Sequence, residues 1–86
     1  MINKKVIIKN ETGFHARPAA EFVKFCMKYD DEILIKNGIE EINAKSIVSI
    51  LSAGLKKGME IEVKVVGKNE EQVCEEVTKF IENIKD

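Results

Sequence analysis

The order and spacing of apolar residues predict an α+β fold, β-α-β-β-α-β-α, with helices stacked on one side of an antiparallel sheet. Three observations carry this. Glu60-Ile61-Glu62-Val63-Lys64-Val65 alternates polar and apolar residues without a break, the period of a strand buried on one face. Val73, Val77, Phe80, Ile81 and Ile84 recur at helical spacing and make one apolar stripe. Asn37-Gly38 separates two short β-rich runs, as in a tight hairpin. One-sided strands and amphipathic helices satisfy each other's burial when stacked in layers.

The elements follow in order. The stretch 2–9, with β-branched Val6-Ile7-Ile8 and bounded by Asn10 and Gly13, predicts the first strand. A loop from Asn10 to Phe14 leads into a helix. Its stripe is Ala19, Phe22, Val23 and Cys26, with Glu21, Lys24 and Lys28 on the other side and Phe25 outside the pattern. Pro18 has no N–H to donate and must sit in the first turn, which makes His15 the cap or its neighbour. Glu32 to Lys36 and Ile39 to Ile42 then flank Asn37-Gly38, whose residues accept the positive φ angles of a type I′ turn. Ser46 is a good N-cap for a two-turn helix that Gly54 would end as its C′ residue. Gly67 breaks the last strand. Asn69, with Gln72 three residues on, has the spacing of a capping box for the final helix.

The totals limit what this protein can be. The chain has 86 residues, enough for one domain over positions 1–86. Hydrophobic residues make up 44% and charged residues 34%, which suits one core under a well-solvated surface. Fourteen Lys and Arg against 15 Asp and Glu leave a net charge of -1, and no basic run exceeds two residues, so a nucleic-acid partner is not expected. Nothing approaches the ~20 apolar residues of a membrane span. No apolar leader segment follows Met1, and the expected location is the cytoplasm, away from the membrane. Cys26 and Cys74 are not a C-x-x-C pair, and with one histidine they make a poor metal set. They read as two buried thiols, with no metal or cofactor expected.

Thr12-Gly13-Phe14-His15-Ala16-Arg17-Pro18-Ala19-Ala20 contains the only His, the only Arg and the only Pro of the chain. A helix N-terminus presents unpaired N–H groups and partial positive charge, a ready anion site. An imidazole there is disfavoured as imidazolium and is expected to be neutral and nucleophilic near pH 7. If it attacks a phosphoryl donor, the product phosphate falls on those same N–H groups. Arg17 can add a planar, permanently charged donor fork, and Gly13 is expected to leave room for a partner. The competing reading is that His15 is a plain surface residue or a cap. A lone histidine favours that reading, and the placement with Arg17 makes the two equal.

The segment Gly13-Phe14-His15-Ala16-Arg17-Pro18-Ala19 resembles the active-site signature of the histidine-containing phosphocarrier (HPr) family, G-[LIF]-H-[AT]-R-P-A. Asn43-Ala44-Lys45-Ser46-Ile47-Val48-Ser49-Ile50-Leu51-Ser52-Ala53-Gly54 resembles the family's regulatory-serine segment. The length, the spacing of the two segments and the element order match as well. The resemblance implies an open-faced β-sandwich, with a four-stranded antiparallel sheet in the order 1-4-2-3 and three helices on one face. It implies a monomeric phosphocarrier that accepts a phosphoryl group on His15 Nδ1 from phosphorylated enzyme I and passes it to sugar-specific IIA domains. Ala16 and Arg17 would bind the phosphate. Ser46 would be the site of an HPr kinase/phosphorylase, in touch with a catabolite-control regulator. Partners would dock on Ala20, Lys24, Ile47, Val48 and Leu51. Met27, where many members have a basic or small polar residue, and Ala53, where Leu is frequent, bear on partner preference.

Three functions compete at this point. The first is the phosphocarrier. The second is a regulatory or nitrogen-branch paralogue acting through protein contacts; the catabolite-repression type lacks the active histidine, whereas the nitrogen-branch type keeps it. The third is an unrelated ligand-binding module, which leaves the His-Ala-Arg-Pro placement unexplained. A stand-alone enzyme is not expected, because no general acid, metal set or glycine-rich nucleotide loop is present.

Overall fold

The computed structural model describes residues 1–86. The elements are β1 (Ile2–Ile7), α1 (Ala16–Cys26), β2 (Glu32–Asn37), β3 (Glu40–Asn43), α2 (Ile47–Ser52), β4 (Glu60–Val66) and α3 (Glu70–Glu82). The four strands form one sheet in the order β1-β4-β2-β3, with every neighbouring pair antiparallel. The order that the family resemblance implied is the order found.

Register aligns the buried faces of the strands. Val6 pairs with Ile61, Ile33 with Val65, Ile35 with Val63 and with Ile42. All of these are buried, and a single cluster of 20 apolar residues joins them to Phe22, Val23 and Cys26 of α1, Ile50 of α2 and Val73, Val77 and Ile81 of α3. A one-residue slip in any strand would turn this set outward, so the core sets the pairing. The opposite face of the sheet carries Lys5, Glu62, Lys64, Lys36 and Glu41, among which Lys64 and Glu41 pair at 3.2 Å.

β1 ends at Ile7, two residues before the expected limit, although Ile8 is fully buried and still donates to Met59 O at 3.0 Å. The hairpin turn also differs. Asn37 pairs with Glu40, so the turn residues are Gly38 and Ile39. Gly38 has φ +64° and no non-glycine residue has positive φ, which rules out the expected type I′ turn. Glycine at the first central position is the requirement of type II′, and Asn37 ends β2 instead.

The capping box at Asn69 does not form. Its side chain makes no cap bond, and Gln72 reaches Glu76 at 3.1 Å. The start of α3 is held from elsewhere. Asp31, buried at the entry to β2, accepts from Asn69 N at 3.0 Å, and Glu70 accepts from Gly67 N at 3.2 Å. The buried face of α3 includes Cys74 and Thr78, while Phe80 is half-buried at its margin and Ile84, expected in the same stripe, lies past the end of the helix and is half-buried. Phe80 stacks on Phe25 with ring centroids 4.6 Å apart, and Tyr29 meets Phe25 edge-on at 5.6 Å. The residue outside the α1 stripe therefore seals the α1–α3 junction. Both cysteines are free and buried, as expected; burial pushes the Cys26 thiol up to about 12, against a smaller pull from Lys45, and raises Cys74 as well.

Candidate functional site

α1 starts at Ala16, with His15 as its N-cap at φ -74° and ψ -178°. The His15 carbonyl accepts from Ala19 N at 2.8 Å, which closes the first turn. Pro18 occupies the third helical position, where its missing N–H costs no helical bond. The imidazole makes no cap bond and is exposed. The N–H groups of Ala16 and Arg17 are left without helical acceptors, so the ring stands beside two free donors at the positive end of α1.

The loop ahead of His15 is held on both sides. Gly13 has φ +61°, and a Cβ there would lie 2.5 Å from Leu55 O and 2.8 Å from Lys56 Cα. Gly13 is thus buried against its own chain. It leaves room for the Leu55–Lys56 segment, and the expected space for a partner does not exist at this residue. Phe14 is buried and donates its N–H to Leu55 O at 3.1 Å.

On the other side stand the residues after α3. The Asp86 carboxylate accepts from Asn10 Nδ2, from the backbone N–H of Glu11 and Thr12, and from the Thr12 hydroxyl. The Thr12 hydroxyl first, then the Asn10 amide and the two backbone N–H groups, hold its carboxyl down at about 2. No feature of the sequence pointed to this contact, which joins positions more than 70 residues apart.

Arg17 is exposed and lies along α1. Its Nη1 donates to Glu21 Oε1 at 3.3 Å, and its Nη2 donates to Lys85 O at 2.9 Å. An exposed i,i+4 pair of this kind is worth about 0.3–0.5 kcal/mol, and the bond to Lys85 O is exposed as well, where water competes for both partners.

α2 presents a second helix start. Ser46 is its N-cap, and its hydroxyl accepts from Ser49 N at 3.3 Å, the bond expected of a serine there. Ala53 follows as C-cap and Gly54 has φ +64°, as its C′ place requires. Of the apolar residues in α2 only Ile50 is buried; Ile47, Val48 and Leu51 are 36%, 71% and 45% exposed. Leu51 lines an open groove with Thr12, His15, Ala16 and Lys57. Ile47 and Val48 lie outside that groove. Ala20 and Lys24 are exposed on α1, but Lys24 lines a different, shallow groove with Phe25, Lys28 and Phe80. Of the residues expected to receive partners, Leu51 and Lys24 thus line two separate hollows, while Ala20, Ile47 and Val48 line neither.

No three His, Cys, Asp or Glu side chains gather as a metal set, and no helix is long and apolar enough to cross a membrane. The site offers a free imidazole, two free backbone donors and one weakly held guanidinium. Such a set can take an electrophilic phosphoryl group on nitrogen and hold its anionic oxygens on the donors.

Known proteins agree with this geometry. The family model described as PTS HPr component phosphorylation site matches residues 2–83. The chain is 37% identical over 82 residues to the HPr-like protein Crh of Halalkalibacterium halodurans, covering 95% of this chain and 98% of that protein. It is 33% identical over 86 residues to the phosphocarrier protein HPr of Borreliella burgdorferi, with both chains covered in full. Among solved structures, HPr of Thermoanaerobacter tengcongensis superposes with a TM-score of 0.90 at 36% identity, covering 95% of this chain and 92% of that one. On its sequence, its strand order and its helix-start histidine, this chain belongs to the HPr family of the phosphotransferase system.

Proposed function

We propose that this protein is a monomeric cytoplasmic phosphocarrier that takes a phosphoryl group from phosphorylated enzyme I onto His15 and delivers it to IIA domains of sugar permeases. The observation that supports this most is the state of His15: an N-cap residue whose ring caps nothing. In the transfer, His15 Nδ1 forms a bond to phosphorus as the donor's bond to that phosphorus breaks, and the imidazole proton passes to solvent. The phosphoryl oxygens then face the Ala16 and Arg17 N–H groups, and Arg17 leaves Glu21 to add its fork. Delivery reverses these steps on the next protein. The exposed Ile47, Val48 and Leu51, with Ala20 and Lys24, receive the partners.

The test is incubation with phosphoenolpyruvate and enzyme I, followed by intact-mass measurement. One acid-labile phosphoryl group is expected, absent in His15→Ala. If the variant still gains the group, the assignment to His15 is wrong.

A second reading has support of its own, since one relative is an HPr-like Crh protein and Ser46 caps a helix with exposed apolar residues. In that reading a kinase phosphorylates Ser46, and the protein then acts on a catabolite-control regulator. The free His15 favours the carrier role.

A further inference from the structure

We infer that Asp86 is a positioning residue for His15: its carboxylate gathers the Asn10–Thr12 loop and so fixes the turn that presents the histidine. The inference rests on the phosphocarrier reading of His15. Four donors converge on this carboxylate. They are Asn10 Nδ2 at 3.0 Å, Glu11 N at 2.6 Å, Thr12 N at 3.3 Å and the Thr12 hydroxyl at 2.5 Å. They come from three consecutive residues that belong to neither β1 nor α1. Most of these groups are exposed, so solvent screens the cluster and its contribution to overall stability is modest. What it restricts is the path of the loop.

Asn10 carries that restriction toward the site. The same Nδ2 that donates to Asp86 donates to Gly13 O at 2.8 Å, and Gly13 N donates back to Asn10 O at 3.2 Å. Asn10 is buried, although its sequence neighbour Glu11 is exposed. On the far side, Gly13 and Phe14 are pinned to Leu55. His15 is the next residue. Its backbone is thus clamped between Leu55 and, through Asn10, Asp86. Phosphoryl transfer needs the attacking nitrogen, the phosphorus and the leaving group aligned, and a displacement near 1 Å can cost about two orders of magnitude. A carboxylate in this region has one other possible effect, repulsion of the incoming phosphoryl group. Repulsion slows transfer and positioning speeds it, so the two separate by sign.

The experiment measures single-turnover phosphorylation of wild type, Asp86→Ala and Asp86→Asn over a range of donor concentrations. Phosphorylated enzyme I is one donor, and potassium phosphoramidate is a second that needs no docking. Asp86→Ala is expected to lower the maximal rate roughly tenfold with both donors. The half-saturating concentration of enzyme I should stay within about twofold, the melting temperature should barely move, and Asp86→Asn, which keeps an acceptor oxygen, should retain more of the rate. Unchanged rates, or a faster Asp86→Ala, overturn the role, the latter in favour of repulsion. A loss with enzyme I alone also overturns it, because Asp86 then belongs to the docking surface. Wild type that takes no phosphoryl group from either donor refutes the phosphocarrier reading itself, a result distinct from all of these.

Discussion

The starts of α1 and α2 are the same structural position filled in two ways. At Ser46 the cap side chain turns back on its own helix and accepts from Ser49 N. At His15 the cap side chain makes no such bond, and the first-turn donors behind it stay free. Both positions have extended backbone and both carbonyls accept the first helical bond, from Ala19 and from Ile50. Only the side chains differ. The Ser46 hydroxyl contributes to folding, while the His15 imidazole makes no cap bond and the loop before it is held from elsewhere, at Leu55 and Asp86. A cap side chain can serve its helix or stay free of it, and the two helix starts show one case of each.

The largest test of this contrast is Arg17→Ala. If the α1 start is an anion site, removal of the guanidinium should slow phosphoryl acceptance by about ten- to a thousandfold, or ~1.4–4 kcal/mol of transition-state stabilisation. Thermal stability should change little, because the Glu21 pair and the Lys85 carbonyl bond that are lost are both exposed. Stopped-flow transfer from phosphorylated enzyme I reads this, and wild-type rates in the variant would remove Arg17 from the site.

A smaller effect is expected at the other helix. Ser46→Asp adds charge beside the exposed Ile47 and Val48 without unfolding α2, since aspartate also caps well. If enzyme I meets this patch with acidic groups, acceptance should slow through weaker binding, and added salt should narrow the gap by screening. Transfer at low and high ionic strength, with circular dichroism as the folding control, decides it; equal rates at low salt leave Ser46 a cap and nothing more.

The smallest effect separates the two caps by stability alone. Ser46→Ala should cost about 0.5–2 kcal/mol, the usual loss when a capping hydroxyl is removed. His15→Ala should fall within about 0.5 kcal/mol of wild type, as for a surface residue with no bond to lose. Urea denaturation of both variants measures the difference, and equal losses would mean that the imidazole supports α1 after all.

By itself the sequence determined what short-range periodicity can carry. The alternation of Glu60 to Val65 and the stripes of α1 and α3 identified their elements, because which face of a strand or helix is apolar is a property of neighbours within one or two turns. Ser46 and Gly54 marked the ends of α2 for the same reason. The strand order and the named candidates came from the motif around His15, whose resemblance to a family stands in for contacts that spacing cannot supply. The tertiary structure decided the rest. Asn69 looked like a cap, but Asp31 took over the helix start from 38 positions away. Gly13 looked like an opening, but Leu55 and Lys56 fill the space a side chain would need. Arg17 is turned to Lys85, and the loop before His15 is tied to Asp86, through hydrogen bonds that exist only once α3 has packed across the sheet. Local patterns are written in adjacent residues, whereas a partner 40 or 70 positions distant is chosen by the fold, and here those distant partners shape the backbone around the histidine.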